Sequence, residues 1–304
     1  MAADRFQRVT SPIRKGAYSA RVEVRPGDDP INSGGERAEV VSMEDKNGNQ
    51  INESESSGTQ YYAMSIYLPS DWTPPLPDTH GLIWGLALQL HGPDVLDASP
   101  AFGLEVRNRF SLDMEVGDVT RSNPYGFYEF SDGSLNLGHW TDFVIRIKYA
   151  KDATGSVDIW RRNEGATAFT NVLSVANTPT LQYSPNVNGG AIGNHYWKTG
   201  YYRDANSVTN MLYLDGVTRG TSFDSVVAEA FPSTTNPTST PSPTPTPTIK
   251  PGDANGDNLV NETDFTIWLS HFGQAISGVI NGDFNGDGHV DGVDYTIWLN
   301  NYGK

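Results

Sequence analysis

The stretch Tyr196-Trp197-Lys198-Thr199-Gly200-Tyr201-Tyr202-Arg203 alternates in a way that only an extended chain resolves into two sides. With the two-residue period of a strand, Tyr196, Lys198, Gly200 and Tyr202 share one face, so polar and ionisable groups line up on it. Apolar and polar residues alternate in the same manner over 18–24, 61–67, 86–90, 103–107, 143–148, 156–160 and 211–214, and these segments are expected to be strands. Turn-forming Pro26-Gly27-Asp28, Asn47-Gly48-Asn49 and Ser131-Asp132-Gly133 punctuate them. No helical period lasts long enough to supply the crossovers of a parallel sheet. The expected fold of this region is therefore mainly β, an antiparallel β-sandwich of jelly-roll, concanavalin-like form.

Composition agrees with a real core, since 37% of the 304 residues are hydrophobic and 11% aromatic. Cysteine is absent, which excludes a disulfide framework, a zinc-thiolate site and a cysteine nucleophile. No apolar run reaches bilayer length, so no membrane span is expected. The start, Met1-Ala2-Ala3-Asp4, lacks the basic and apolar regions of a signal peptide, and the leader of a secreted precursor is expected to have been removed.

Charge is spread unevenly. The net charge is −15, and residues 252–304 hold seven Asp and one Glu against one Lys. The excess of acid on residues 1–231 argues against a general nucleic-acid surface, and a polyanionic substrate would need a local basic cleft. Between the two regions, residues 232–251 read PSTTNPTSTPSPTPTPTIKP, with seven prolines and one aliphatic side chain. Such a segment cannot bury a core and favours polyproline II, spanning up to about 60 Å. The expected organisation is a β domain over 1–231, a spacer over 232–251 and a small module over 252–304.

The small module contains two calcium-type loops. Asp253, Asn255, Asp257, Asn261 and Asp264 occupy positions 1, 3, 5, 9 and 12 of the first, and Asp283, Asn285, Asp287, Asp291 and Asp294 repeat the pattern thirty residues later. Calcium takes six to eight oxygens, and the position 7 carbonyls of Leu259 and His289 would complete each set. Gly288 supplies the sharp turn of the second loop, and Asn258 stands in its place in the first. Each loop runs into nearly the same helix start, Asp264-Phe265-Thr266-Ile267-Trp268-Leu269 and Asp294-Tyr295-Thr296-Ile297-Trp298-Leu299. Phe265, Trp268, Leu269 and Phe272, with Tyr295, Trp298, Leu299 and Tyr302, fall at helical spacing and are expected to pack the two helices together. The repeat resembles a dockerin, a family whose loops end in Asp at position 12 and whose usual partner is a cohesin. That resemblance implies two calcium ions and a possible cohesin partner. A metal-stapled small fold without a partner is the plainer alternative.

Three strand-like segments carry the chemistry of the large domain: Gly35-Glu36-Arg37-Ala38-Glu39-Val40-Val41, Leu88-Gln89-Leu90-His91-Gly92, and the stretch from Tyr196. In this order they resemble jelly-roll polysaccharide lyases, with an Arg-x-Glu strand, a Gln-x-His strand and a late Tyr-x-Lys-x-Gly-x-Tyr strand. The stretch GAYSARVEVRPGD at 16–28, followed by SGGERAEV at 33–40, is similar to glucuronan lyases and heparin lyase I. Trp197, Thr199 and Val41 depart from the alginate-lyase pattern and weigh against alginate.

The resemblance implies an extracellular lyase that cleaves an anionic polysaccharide by β-elimination, with no cofactor needed for that step. Gln89 and Arg37 would bind the uronate carboxylate and hold the charge of the enolate-like intermediate. Tyr202 would protonate the leaving oxygen and serve as base where geometry allows, with His91 as the other base or carboxylate partner. A phenol is a poor base unless a cation lies close, so Arg37 or Arg107 near its oxygen would matter. Lys198 is about 13 Å along the strand from Tyr202 and is expected to bind a neighbouring sugar's carboxylate. Glu39 is expected to orient Arg37, and Arg107 to extend the substrate-binding surface beside Glu105 and Arg109. The rival functions are a non-catalytic carbohydrate-binding jelly roll and a glycoside hydrolase. The hydrolase would need two flanking carboxylates, and no close Glu-x-Asp-x-x-Glu strand is present.

Overall fold

The computed structural model describes residues 4–31, 35–41, 43–45, 47–77, 83–122, 125–232, 250–257 and 259–303. Most of the expected spacer, and Asn258 of the first loop, lie outside the described residues. The chain divides into two units, Met1–Thr234 and Thr235–Lys304.

Among the described residues of the first unit, the strands in chain order are β1 Phe6–Val9, β2 Ser19–Val24, β3 Gly35–Val41, β4 Asn52–Glu53, β5 Thr59–Tyr67, β6 Gly85–His91, β7 Phe102–Val106 and β8 Phe110–Glu115. They continue as β9 Gly117–Asp118, β10 Tyr125–Glu129, β11 Trp140–Lys148, β12 Ser156–Asn163, β13 Thr170–Ala176, β14 Gln182–Tyr183, β15 His195–Asp204 and β16 Asn210–Gly220. One sheet runs β1-β2-β16-β5-β11-β12-β13, and the other runs β10-β8-β7-β6-β15-β3 with β4 also paired to β15. Neighbours in both are antiparallel, as expected for a jelly roll. Met64, Ile66 and Phe143 of the first sheet and Leu88, Leu90, Leu104 and Leu112 of the second are all buried in one apolar cluster. Across the gap the Tyr62 ring lies 4.5 Å from that of Trp197, so the stretch that opened the sequence reading forms one wall of the core.

Strands β1, β8, β10 and β13, the two-residue β4, β9 and β14, and helix α1 (Phe223–Ala230) are absent from the sequence-based reading. The β8 sequence Phe110-Ser111-Leu112-Asp113-Met114-Glu115 does alternate apolar and polar residues, and nearly all of both faces is buried, the polar one included. Helix α1 is only eight residues long; Ser222 caps it by accepting from Ser225 N. Its Val226 and Ala230 pack, with Phe231, on Ala63 and Val144, covering the outer side of the first sheet.

A buried charge cluster ties the N-terminal segment to this sheet. Asp142 of β11, fully buried, accepts from Arg14 Nε at 2.9 Å and Nη2 at 2.8 Å, from Arg162 Nε at 2.9 Å and Nη2 at 2.6 Å, and from Ser65 Oγ at 2.8 Å. Every lone pair region of the carboxylate is used, which is what makes its burial tolerable.

In the second unit, α2 (Glu262–His271) and α3 (Gly292–Asn301) each begin at a position 9 residue: Asn261 accepts from Thr263 N at 2.7 Å, and Asp291 from Val293 N at 2.8 Å. Phe265 packs against Trp298 and Tyr295, and Trp268 against Tyr295. The expected apolar stripe is only half used, because Leu269, Phe272, Leu299 and Tyr302 remain exposed. Adjacent positions 268 and 269 lie about 100° apart around a helix, so one of each pair faces inward and the other does not. No helix among the described residues is long and apolar enough to cross a membrane.

Replacing Asp142 with Ala would strand the buried Arg162 guanidinium and take from half-buried Arg14 its nearest carboxylate. Chemical denaturation followed by circular dichroism should show the sandwich destabilised by about 3–5 kcal/mol; a change under about 1 kcal/mol would mean that the cluster contributes little.

Candidate active site

Strand β15 lies between β6 and β3, and its pairings bring the three sequence motifs together. On one side Tyr196 pairs with His91 and Lys198 with Gln89; on the other Lys198 pairs with Val41, Gly200 with Glu39 and Tyr202 with Arg37. Because directly paired residues share a face, these side chains form one patch on the outer side of the second sheet. The opposite face of β15 is structural. Trp197 fills the core, Tyr201 Oη donates to the Val106 carbonyl at 2.6 Å, and Arg203 donates to Glu36 at 2.6 Å.

Gly200 explains why the motif has a glycine there. Its φ is +152°, and a Cβ would run into the Ala38 carbonyl oxygen and the Glu39 Cα of β3. A register shift between Thr199 and Tyr202 against β6 sits at the same point. Gly35 serves a second close approach, since a Cβ there would strike the Tyr202 ring.

Around Tyr202 the Arg37 guanidinium carbon lies 3.7 Å from the phenol ring centroid, and Trp84 packs edge-on at 4.8 Å. Of the two cations expected near Tyr202, Arg37 is therefore the one in contact. Arg107 is held by Glu105, at 3.0 Å from its Nε, and by Ser111 Oγ, at 3.2 Å from its Nη2. Arg107 follows the end of β7, and Arg109 pairs with Glu129 at 2.6 Å.

His91 holds a hydrogen bond from Nδ1 to the Gly92 carbonyl at 2.7 Å, which assigns the proton to Nδ1 and leaves Nε2 as the acceptor. Its ring stacks on Tyr196 at 5.1 Å. Burial, joined by Lys198, pushes the imidazole below its usual titration range. Burial likewise lowers Lys198, against the pull of Glu39, and raises Tyr196 to about 12, reinforced by Asp94. His195 is a different case: it is buried, accepts from Gln182 N at 2.9 Å, and is pushed by burial down to about 4, so it is structural.

Gln89 donates through Nε2 to Glu39 Oε1. Glu39 thus holds Gln89, and lies at 3.9 Å from Arg37 Nη1 through its other oxygen. A group of carboxylates occupies the same face further along the sheet, of which the sequence reading held Glu105 and not Asp113 or Glu115. Gly103 pairs with both Gln89 and Asp113, and Glu105 with Ser111. Asp113 is pushed up to about 7 by burial and by Glu105 and Glu115. The alternation Asp113-Met114-Glu115 was the available signal, hidden because β8 itself was not recognised.

In the second unit the two loops have matching interiors. Asp264 Oδ1 accepts from Ala254 N and Asn255 N, as Asp294 Oδ1 accepts from Phe284 N and Asn285 N. Asp264, Asp283 and Asp294 are fully buried, and among the described residues none of them is paired with Lys or Arg. Buried carboxylates without a counter-charge suit a cation site. Among the described residues no three His, Cys, Asp or Glu side chains gather into a metal cluster; the expected donor set here depends equally on amide and backbone oxygens.

Comparison with known proteins follows this division. Residues 1–218 match the family model for polysaccharide lyase, and residues 251–302 match that for the dockerin type I domain. Among solved structures, the endo-β-1,4-glucuronan lyase from the fungus Trichoderma reesei is 18% identical with a TM-score of 0.52, covering 73% of this chain and 88% of that one. The marine alginate lyase from Zobellia galactanivorans is 13% identical with a TM-score of 0.45, covering 72% of this chain and 81% of that one. No curated protein matches the chain.

His91 should titrate by NMR with a midpoint below the roughly 6.5 of a free imidazole. A midpoint above that value would mean that a carboxylate, and not burial, governs the ring.

Proposed function

This chain belongs to the polysaccharide lyase family, and we propose that it cleaves a uronic-acid-containing polymer, glucuronan by preference, through β-elimination. The observation that carries this reading is the patch in which Gln89, His91, Lys198, Arg37 and Tyr202 share one face of three adjacent strands.

The chemistry divides among these groups as follows. Arg37 and Gln89 take the uronate carboxylate and lower the barrier to losing the C5 proton, which that carboxylate otherwise opposes. Neutral His91, with Nδ1–H held by Gly92, has Nε2 available as the base. Breaking the C4–O4 bond turns the C5–H electron pair into the C4=C5 double bond, and the Tyr202 hydroxyl supplies the proton to the leaving oxygen. The Arg37 guanidinium lies 3.7 Å from the centroid of the Tyr202 ring, a cation beside the group that gives up this proton. Where the stereochemistry of the sugar brings Tyr202 to the C5 proton, Tyr202 acts as the base. Lys198 binds the carboxylate of an adjacent sugar.

Glucuronan is favoured by the similarity of 16–28 and 33–40 to glucuronan lyases and by the departures from the alginate pattern at Val41, Trp197 and Thr199. The T. reesei enzyme adds the fold. Against a glycoside hydrolase, Glu105 is occupied by Arg107 and Ser111, and Glu115 accepts from Ser99 N at 2.6 Å. The dockerin is read as holding two calcium ions, one per loop, and as docking an extracellular cohesin. Domain limits of 1–231, 232–251 and 252–304 go with this organisation.

β-Elimination creates a conjugated double bond, so ultraviolet absorbance should rise with glucuronan and not with neutral glucans. A cleaved polymer with no rise in absorbance would indicate hydrolysis. Tyr202→Phe should lower kcat by at least about 100-fold while a glucuronan oligosaccharide still binds; equal turnover would remove Tyr202 from proton transfer. Chelation of calcium should open residues 252–304 to limited proteolysis and spare the sandwich. Resistance of both units would exclude metal-dependent folding of the module.

A further inference from the structure

Gln89 and Glu39 belong to strands that are not neighbours. With β15 between them, their backbones stand about 10 Å apart, and Gly200 is the β15 residue paired with Glu39. The amide reaches across that side-chain-free position and donates Nε2 to Glu39 Oε1. Its other end is left over: Gln89 is 1% exposed, and its Oε1 has no hydrogen-bond partner.

An acceptor oxygen is the wrong end of an amide to offer an anion. Half a turn of the amide presents Nε2 to a carboxylate, but it also sets Oε1 against the Glu39 carboxylate. The clash disappears once Glu39 carries a proton, because its O–H then donates to Gln89 Oε1 and both ends of the amide are used. The charged and titratable groups around Glu39 are Arg37 on β3, Lys198 and Tyr196 on β15, and His91 beyond Gln89 on β6. Arg37 and Lys198 favour the carboxylate, yet burial outweighs them and moves the group above the ordinary glutamate range. An incoming uronate adds negative charge and pushes in the same direction.

We propose that Glu39 is a proton switch for Gln89: one proton taken from solvent at the Glu39 carboxyl turns the amide so that its NH2 faces the uronate carboxylate. Glu39 is a positioning residue here, acting through Gln89. The anionic-substrate half of the proposal rests on the lyase function given above; the switch itself is testable without substrate.

With 15N-labelled glutamine side chains, and the Gln89 signal identified by its loss in Gln89→Asn, the Gln89 NH2 resonances should follow one titration between about pH 4 and 9, centred above the roughly 4.3 of free glutamate. In Glu39→Gln, whose own NH2 would hold Gln89 Oε1, that titration should vanish. A resonance that stays still, or one that titrates equally in Glu39→Gln, overturns the switch.

Calorimetry with a glucuronan tetrasaccharide, in two buffers of different ionisation heat, then counts protons. Above the Glu39 titration, binding should take up close to one proton and weaken by up to about tenfold per pH unit, and Glu39→Gln should lose both effects. Proton-neutral binding by the unsubstituted protein overturns the proposal while leaving the lyase function intact. No binding, alongside a Gln89 signal that still follows Glu39, supports the switch and removes the substrate assignment.

Discussion

Everything at the candidate site depends on one strand having two different neighbours. Strand β15 pairs with β6 and β3 at once, and its two faces do separate work. Trp197, Tyr201 and Arg203 anchor it through ring packing on Tyr62 and hydrogen bonds to Val106 and Glu36. With that side fixed by burial, the register of the other side is fixed as well, since slipping by one residue would exchange the faces. Tyr196, Lys198 and Tyr202 are thereby held against His91, Gln89 and Arg37, and the Tyr196–His91 stack and the Arg37 guanidinium over the Tyr202 ring add to the alignment.

Electrostatics then shape what this face can bind. The chain as a whole is acidic, with a net charge of −15, yet Arg37 and Lys198 stand on the two strands that meet beside Glu39. On the next two strands beyond Gln89 the same face turns acidic, at Glu105 of β7 and at Asp113 and Glu115 of β8. Burial makes each of these groups expensive to ionise, and the structure answers by pairing most of them: Glu105 with Arg107, Arg203 with Glu36, Asp142 with two arginines. Glu39 and Asp113, both raised by burial, are where that pairing is weakest.

The C-terminal unit solves a different problem, the stability of some fifty residues with little apolar material. Its two halves brace each other. Trp268 Nε1 donates to the Asp291 carbonyl and Trp298 Nε1 to the Asn261 carbonyl, each at 3.0 Å, so each helix holds the other's loop. Asn261 and Asp291 also cap their own helices, which joins loop, cap and helix packing in a single arrangement.

Local pattern was enough for much of this. The two-residue period of 61–67 and 143–148 marked strands β5 and β11, and the repeat of Asp264-Phe265 in Asp294-Tyr295 marked a duplicated module. It missed β8, although Phe110 to Glu115 alternates apolar and polar residues, and it failed where a helix is too short to show its period, as in α1. The separation of Leu269 from Trp268 also needed the packed structure, because a helical stripe records which residues are apolar and not which of two adjacent ones finds a partner. At the site, the sequence by itself determined the residue types and the face each would occupy on its own strand. Only the tertiary structure decided that Gln89 would reach Glu39 across Gly200, that Arg37 and not Arg107 would lie over Tyr202, and that Asp113 would join the same face. The physical reason is that a side chain's face follows from the local period of the backbone, whereas the strand beside it is chosen by contacts among residues far apart in the chain.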